Sequence, residues 1–474
     1  MRIARRSRCT PVDLAVPDAR ARASASILIR HGDSLVLVVL GLSSGLIDWQ
    51  IATTWALPRW IPLLCAVLVA CAIGASVVRP RLKEVVSVVT VAVLYALPVI
   101  GGIARWHSIP SPTALIGDGA YQMQLARNVL MRGVDPYGFN YTGTGLERTP
   151  WNQPFPNPSL HHLDYWPGTI VLPLPVQAAF QGVLGWWDER IWLLLAAIAV
   201  WLILRRLVPG TAGRMAAIAL FLIPGHSLLA VLGDNDLPMV ALILAAALAT
   251  ANRKFLLAGL LIGLAIATKQ TSLIAVPVLA AYAVGQHIGW RQFLRAAGVA
   301  VATVCVLLAP FLLWNVGAFV ADTLLFNFAG GAEAYPIQGL GLSSILLQSG
   351  IIHGARDAFP FLLIQLPLVL VAWLLAWRRL ISKPGAGELI LWCGLAFLVF
   401  LFTNRFAQQA YILLGVELIL AGLLARLHNP EDVRLVLVRP HRFGGRLPPG
   451  PRDLGGRGPS PASGEDPRRH SVAD

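Results

Sequence analysis

An acidic residue follows the third long apolar run of the chain, where the sequence turns polar. Asp118 stands in the segment GDGAYQ, and the polar and aromatic stretch that it opens continues to Trp166. A carboxylate at the point where a chain leaves lipid can be partly desolvated, which raises its basicity toward that of a general base. The same residue could instead cap the helix that it begins. The sequence therefore offers Asp118 as a base or as a helix cap.

Two further groups in this polar stretch have simpler explanations than catalysis. Asp135 stands in GVDPYG, where a proline and two glycines favour a turn. His161, His162 and Asp164 could suggest a metal site, but adjacent histidines do not face one point on a helix or a strand. We expect a turn at the first position and no metal at the second.

A cluster of polar residues, Gly233-Asp234-Asn235-Asp236, stands between two apolar runs. Two carboxylates and an amide at a membrane boundary could bind the hydroxyls of a sugar or a divalent cation. A polar helix cap is the structural alternative. Both interpretations place these side chains at the outer end of a helix.

Three cations stand at predicted outer helix ends, against the usual positive-inside trend. They are Arg190, Lys269 and Arg405, and Gln270 follows the lysine. An ionisable residue near the membrane is a functional hypothesis by default. Phosphate is a natural partner for such cations, so three of them around one cavity would suit a lipid-linked phosphate.

The composition identifies the elements that must position these groups. The 474 residues are 56% hydrophobic and 13% charged, whereas a soluble domain carries roughly 25% charged residues. Apolar runs of about 18 residues recur, as bilayer-spanning helices require. We predict an all-α polytopic integral membrane protein. Its net charge of +14 comes from arginines in the tails and short turns, which membrane topology explains without nucleic acid.

The apolar runs predict about twelve transmembrane helices. Their approximate bounds are 33–53, 60–78, 85–104, 191–207, 212–231, 237–251, 255–268, 271–286, 294–314, 360–378, 386–403 and 407–426. A first large loop, 105–190, contains an amphipathic helix at 120–132. Its segment 169–185 is apolar but rich in proline and glutamine, which favours a re-entrant or surface-lying helix. A second polar loop covers 315–359.

The charge pattern predicts the topology. Basic turns occur at 79–83, 205–214, 253–254, 291–295 and 378–383. Twelve spans and a cytoplasmic N-terminus place all of these turns, and both tails, inside, and both polar loops outside. The basic segment 1–32 has no cleavage site and is predicted as a cytoplasmic tail. The segment 427–474, rich in Pro, Gly and Arg, is predicted as a disordered cytoplasmic tail.

The five cysteines give no sign of a disulfide framework. One lies in the N-terminal tail and the others in apolar spans, at positions 9, 65, 71, 305 and 393. None falls in a polar loop. We therefore expect neither disulfides nor a cysteine metal site.

In the order and spacing of these residues the chain resembles the GT-C superfamily of glycosyltransferases, and most closely its bacterial polyprenol-phosphate-mannose-dependent mannosyltransferases. The landmarks are Asp118, the GVDPYG turn at 133–138, Tyr165-Trp166-Pro167, Arg190, the block GDNDLPMVALILAAALATANRKFLLAGLLIGLAIATKQTSLIAVP at 233–277, and NRFAQQAYILL at 404–414. The resemblance covers residues 85–426. It leaves two additional N-terminal helices, 33–84, unexplained.

The resemblance implies a mechanism and a location. Asp118 would deprotonate an acceptor hydroxyl, which attacks the anomeric carbon with inversion and expels polyprenyl phosphate. Substrate contacts are expected at Asp135, Tyr137, Asp164, Tyr165, Arg190, Asp234, Asp236, Lys269, Gln270, Arg405 and Gln408. The expected partners are a polyprenyl-phosphate sugar donor and a lipid or glycan acceptor, on the outer face of the bacterial inner membrane.

The resemblance also bears on cofactors. We predict no cofactor and no bound metal. Family members often carry an amide where Asp234 stands, so a divalent cation at this carboxylate is the alternative.

Two other functions fit a membrane protein of this composition. A transporter or flippase for a lipid-linked or polar solute would favour internally repeated halves and charges at the membrane midplane, and neither is visible in the sequence. A non-catalytic protein of the same fold would leave Asp118 pointing into lipid or bonded to backbone alone.

Overall fold

Helices make up most of the computed structural model, which describes residues 19–54, 82–108, 116–151, 153–328, 331 and 334–427. One pair of two-residue parallel strands, Gln338–Gly339 (β1) and Phe406–Ala407 (β2), joins the second polar loop to the start of the last helix. The predicted all-α fold is confirmed.

The helices follow the chain in this order. They are α1 (Ala19–Thr54), α2 (Lys83–Ser108, with a π-helical turn at Ala92–Ala96), α3 (Asp118–Met131), α4 (Pro167–Val171), α5 (Leu174–Leu184), α6 (Glu189–Leu207), α7 (Gly210–Leu222), α8 (His226–Leu232), α9 (Leu237–Ala251), α10 (Phe255–Thr268), α11 (Val276–Gly285), α12 (Trp290–Val320), α13 (Phe326–Phe328), α14 (Leu342–Gln348), α15 (Phe361–Ser382), α16 (Ala386–Phe402) and α17 (Gln409–Arg426). The 3₁₀ turns are Leu146–Arg148, Pro158–Leu160 and Gln270–Ala275, and a π-helical turn follows α12 at Ala321–Leu325.

Helices coincide with every predicted span that falls in the described part of the chain. The span predicted at 60–78 lies outside the described residues, as do most of both predicted tails. Five described helices are long and apolar enough to cross a membrane, or six if the bent pair α7 and α8 counts as one. Several others are short: α10 has 14 residues, or about 21 Å at 1.5 Å per residue, against a hydrocarbon core of about 30 Å. The predicted count of twelve is therefore not established.

Three boundaries differ from the predictions. Helix α1 begins at Ala19, inside the segment predicted as a tail, since the Ala-rich run before residue 33 has high helix propensity. The span predicted at 212–231 is broken and bends by 58° at an Ile-Pro-Gly sequence, where proline cannot continue the backbone hydrogen bonds. Helical structure continues to Val320, into the predicted second loop, but the backbone is non-helical at Asn315 (φ −153°, ψ 86°), so α12 breaks where that loop was predicted to begin.

Small residues allow α10 and α12 to approach closely. A Cβ atom at Gly259 would lie 2.1 Å from the carbonyl oxygen of Ala296, and one at Gly263 would lie 2.6 Å from that of Ala300. Glycines four residues apart fall on one face of a helix, which is how membrane helices bring their backbones together.

Charged residues join the helices at the end that carries the basic turns. Asp33 of α1 binds Lys83 (2.8 Å) and Arg214 (3.0 Å), and Glu84 binds Arg205 (2.7 Å). Glu388 likewise binds Arg379 (2.6 Å) on the neighbouring helix α15. The first of these networks fixes α1 to the rest of the bundle.

The two polar loops pack against each other at the opposite end. Asp322 accepts a hydrogen bond from the Gly138 amide (2.7 Å) and lies 2.9 Å from Nδ1 of His162. Gln153 donates to Gln338 across 3.2 Å. Helix α3 forms as predicted, with Val129 buried and Leu125 half-buried in a second apolar cluster beneath the loops.

Candidate active site

A polar cavity of about 400 Å³ opens between the polar loops and the helix ends. Its lining comes from four parts of the chain: the start of α3, the first loop, the turn before α9, and the segment around β1 and β2. The lining residues are Gly117, Asp118, Gly119, Ala120, Pro150, Trp151, Tyr165, Leu229, Leu232, Gly233, Asp234, Asn235, Tyr335, Gln338, Gly339, Gln408, Gln409, Ala410 and Tyr411. Its volume is in the range of about 300–1,000 Å³ that is usual for small-molecule sites.

Asp118 is the first residue of α3 and faces this cavity. Gly117, without a side chain, occupies the cap position, and the Asp118 carboxylate accepts hydrogen bonds from the Gly119 amide and from Nδ2 of Asn157, each 2.8 Å long. Burial raises the pKa of Asp118 above its usual value, and the two hydrogen bonds oppose that rise by favouring the ionised form. Asp118 is thus a buried carboxylate that a side chain as well as backbone holds in place.

Asn157 is a site residue that the sequence did not reveal. It caps the 3₁₀ turn Pro158–Leu160, where its Oδ1 accepts a hydrogen bond from the Ser159 amide (3.0 Å). Gln122 of α3 donates to the carbonyls of Ser159 (2.6 Å) and His162 (2.7 Å), which fixes this turn against the helix. The Asn-Pro pair signals a turn in sequence, but nothing local indicates that its amide reaches Asp118.

Close backbone packing brings Asp118 and Asp234 to the same cavity. The Gly117 amide donates to the carbonyl of Leu232 across 2.7 Å. Gly233 has φ +89°, and a Cβ atom there would lie 2.4 Å from Cβ of Ala120. Only glycine adopts that conformation at little cost and leaves room for α3.

The two acidic residues of the 233–236 cluster have different environments. The carboxylate of Asp234 lines the cavity and accepts no hydrogen bond from the described residues, and burial together with the nearby charge of Asp236 raises its pKa to about 7. Asp236 is 2% exposed and forms an ion pair with Lys269, whose Nζ also donates to Oδ1 of Asn235 (2.8 Å). Asp234 is therefore available to a ligand, and Asp236 holds the turn.

The three predicted cations have protein partners and do not line the cavity. Arg190 is fully buried, with two hydrogen bonds to Asp188 (2.8 and 2.7 Å) and one to the carbonyl of Val231 (2.9 Å). Lys269 is 6% exposed beside Asp236. A cation removed from water needs such partners to offset its desolvation.

Arg405 connects the second polar loop to the end of α16. Its guanidinium donates to the carbonyls of Tyr335 (2.7 Å), Asp357 (2.7 Å) and Ala355 (3.3 Å). It is 2% exposed. The cluster of three cations predicted around one cavity is thus not seen in the described structure.

Asp135 and Tyr137 lie outside the cavity lining. Asp135 accepts a hydrogen bond from the Tyr137 amide (3.0 Å), which confirms the predicted turn. The Tyr137 hydroxyl donates to the carbonyl of Tyr165 (2.8 Å) and its ring is 2% exposed. Both residues support the segment that carries Tyr165.

The remaining predicted residues are at or next to the cavity. Tyr165 and Gln408 line it. Burial raises the pKa of Asp164 to about 7, with the charge of Asp118 adding to the rise and that of Lys269 opposing it. Gln270 donates to the carbonyl of Asp164 across 3.1 Å. Its side chain therefore supports the segment of Asp164 and Tyr165 from outside the cavity lining.

Aromatic and amide side chains that were not predicted as site residues complete the lining. Trp151, Tyr335, Gln338 and Tyr411 come from two loops and from α17. They carry no spacing signal, because loop folding alone brings them together. Among the described residues, no three His, Cys, Asp or Glu side chains are grouped as metal ligands would be.

The comparisons with known proteins identify the family. The sequence model of glycosyltransferase family 87 matches residues 165–429. The chain belongs to this family. This match confirms the predicted recognition of the chain as a relative of the GT-C glycosyltransferases. The matched region contains Asp234, Lys269 and Arg405, whereas Asp118 precedes it.

Other comparisons are more distant. No curated protein matches the chain. Among solved structures it is similar to the crystal structure of ArnT from Cupriavidus metallidurans bound to undecaprenyl phosphate, at 16% sequence identity and a TM-score of 0.40. That similarity covers 69% of this chain, which spans 59% of the length of the other.

Proposed function

We propose that this family 87 glycosyltransferase transfers a sugar from a polyprenyl-phosphate donor to a hydroxyl of an extracytoplasmic lipid or glycan, with inversion and with Asp118 as the general base. The observation that carries the proposal is the carboxylate of Asp118 in a polar cavity at the end of a membrane bundle, oriented by Asn157 and the Gly119 amide. The resemblance noted above makes a hexose, and mannose first, the sugar to test.

The proposed reaction uses the two carboxylates of the cavity lining, those of Asp118 and Asp234. The acceptor oxygen bonds to the anomeric carbon as the bond from that carbon to the phosphate oxygen breaks. The bonding electrons leave with polyprenyl phosphate, and the hydroxyl proton passes to Asp118. Asp234, open to the cavity, would bind sugar hydroxyls through its carboxylate oxygens.

Lys269 is the cation that we assign to the leaving phosphate. Its Nζ lies 5.1 Å from the ring centre of Tyr411 and bonds to Asn235, and both of these residues line the cavity. Its positive charge is held in place behind these two lining residues. It can therefore stabilise the negative charge that develops on the leaving phosphate without a rearrangement of the site. Arg190 and Arg405, enclosed by their own partners, are assigned to holding the walls in place.

A second cavity, an apolar groove, suits the prenyl chain of the proposed donor. It has a volume of about 440 Å³ and lies between α9, α10, α11 and α12, with Trp166, Ile262, Ile266, Leu273, Val304 and Cys305 among its lining residues. Trp166 directly follows Tyr165, which lines the polar cavity. A prenyl chain in this groove would leave its phosphate near the polar cavity.

The donor class is tested by supplying labelled hexose as polyprenyl-phosphate hexose or as nucleotide hexose to vesicles that contain the purified protein. We expect transfer to endogenous or added glycan acceptors from the prenyl-linked donor alone. Transfer from the nucleotide sugar, with none from the prenyl-linked one, would overturn the proposal. Vesicles that contain Asp118→Asn serve as the matched blank.

A further inference from the structure

Four side chains form one wall of the polar cavity, which we call the aromatic-amide wall: Trp151, Tyr335, Gln338 and Gln408. Hydrogen bonds fix three of these side chains relative to one another. Nε2 of Gln338 and Nε2 of Gln408 both donate to the hydroxyl oxygen of Tyr335, at 2.8 and 2.5 Å. Gln153 in turn donates to Oε1 of Gln338 (3.2 Å).

This network leaves one donor and one acceptor for a ligand. The Tyr335 oxygen accepts two hydrogen bonds, and its own proton has no acceptor among the described residues. Oε1 of Gln408 accepts no hydrogen bond from those residues either. Tyr335 is 6% exposed, and a buried hydroxyl without an acceptor is costly. Adjacent sugar hydroxyls, each both donor and acceptor, would satisfy the pair.

The rings of the wall are held in place beside these polar groups. The indole Nε1 of Trp151 donates to the carbonyl of Phe155 (2.6 Å), and its ring meets that of Tyr335 edge to face with centres 6.2 Å apart. A sugar ring has an apolar C–H face as well as hydroxyls. Aromatic rings next to amides therefore match both of its surfaces.

The charges of the lining indicate which sugars fit. Among the described residues that line the cavity, the charged ones are Asp118 and Asp234, and none is a lysine, arginine or histidine. An anionic sugar would meet like charge in this lining, and Lys269, which lies behind it, is already paired with Asp236. A neutral ring would not.

We propose that the aromatic-amide wall binds a neutral pyranose of the acceptor, so that the acceptor is an uncharged glycan. The inference rests on the proposed function only in assigning this sugar to the acceptor. The existence of the sugar site is independent of catalysis.

The site is tested by binding to the purified protein in lipid nanodiscs, with empty nanodiscs as the blank. The probes are methyl α-mannoside and the corresponding methyl uronide, which differ in one carboxylate, and saturation-transfer NMR gives their dissociation constants. We expect the mannoside to bind at least tenfold more tightly than the uronide. Equal binding of the two probes, or tighter binding of the uronide, would overturn the proposal.

Two variants locate the binding on the wall. Tyr335→Phe, which removes only the hydroxyl, should weaken mannoside binding about tenfold, and Trp151→Ala should weaken it independently. Tyr282→Phe removes a buried hydroxyl from α11, at a position that is not part of the cavity lining. This variant is the control and should leave binding unchanged. Loss of binding in the control to the same extent, or no change in both wall variants, would contradict the assignment.

Steady-state kinetics distinguish the sugar site on the wall from the proposed transfer activity. With prenyl-linked donor, Tyr335→Phe should raise the KM for an acceptor glycoside and leave the KM for the donor unchanged. A raised donor KM alone would assign the wall to the donor sugar and overturn the acceptor assignment. Selective mannoside binding without any sugar transfer would support the sugar site and overturn the proposed glycosyltransferase activity.

Discussion

At the scale of single residues, the properties of Asp118 come from two opposing effects. Burial favours the neutral acid, and the hydrogen bonds from Asn157 and Gly119 favour the carboxylate. The identity and position of Asp118 were readable from sequence, because it follows an apolar run. Its partner was not, because Asn157 lies 39 residues away on a turn placed by tertiary packing.

Removal of the Asn157 amide should shift the pH dependence of transfer. Asn157→Leu takes away a hydrogen bond that lowers the pKa of Asp118, so that this pKa rises further. A base must be ionised, so the acidic limb of kcat/KM should move to higher pH while the alkaline limb stays fixed. Asn140→Leu, at an exposed loop position where the side chain accepts a hydrogen bond from the Thr142 amide, is the control. An unshifted acidic limb would show that Asn157 does not act through Asp118.

Variants of the buried pair Lys269 and Asp236 should distinguish a structural role of Lys269 from a catalytic one. Lys269→Met leaves a buried carboxylate unpaired, which typically costs about 3–5 kcal/mol, and should lower the melting temperature. Lys269→Met combined with Asp236→Leu removes both charges and should recover much of that loss.

If Lys269 also acts on the leaving phosphate, transfer stays low in the stable double variant. Wild-type activity in that variant would remove Lys269 from the reaction. Thermal unfolding in detergent and labelled-sugar transfer are measured on the same preparations.

At the scale of elements, apolar runs with polar ends located the helices well. α9 and α16 match their predicted segments within one residue, because twelve or more consecutive apolar residues leave few alternatives in a membrane. The two polar loops were recognised as loops, but their folds depend on contacts such as that of Gln153 with Gln338. Such contacts join residues far apart in sequence and leave no periodic pattern.

The apolar groove between α9 and α12 should bind the prenyl chain of the donor. Cys305 is exposed in the groove, whereas Cys393 is buried between α16 and its neighbours. Polyprenyl phosphate should slow alkylation of Cys305 by N-ethylmaleimide, as followed by peptide mass spectrometry, and should leave Cys393 unaffected. Unchanged alkylation of Cys305 at saturating lipid would place the chain elsewhere.

At the scale of the whole molecule, the described chain has one end that carries the polar cavity and another that carries the basic turns. This asymmetry is the basis for proposing that the cavity faces outward and the basic turns face the cytoplasm. The sequence indicated it through charge alone. It could not indicate that the predicted cations at the cavity end would be enclosed by Asp188, Asp236 and loop carbonyls.

The orientation predicts opposite labelling at two exposed serines. Ser349→Cys, at the cavity end, should react with a membrane-impermeant maleimide added to whole cells. Ser382→Cys, at the end of α15, should react only after the membrane is opened. The reverse pattern would place the cavity in the cytoplasm and rule out an extracytoplasmic acceptor.

The most direct test of the proposed function compares sugar transfer by wild type and Asp118→Asn in membranes supplied with prenyl-linked donor. We expect the variant to bind methyl α-mannoside normally but to transfer sugar about 10²–10⁴-fold more slowly, the usual contribution of a general base. Full activity in Asp118→Asn would contradict it and direct the search for the base to Asp234 or Asp164. If the wild type consumed no prenyl-linked donor at all, the transporter and non-catalytic interpretations would take its place.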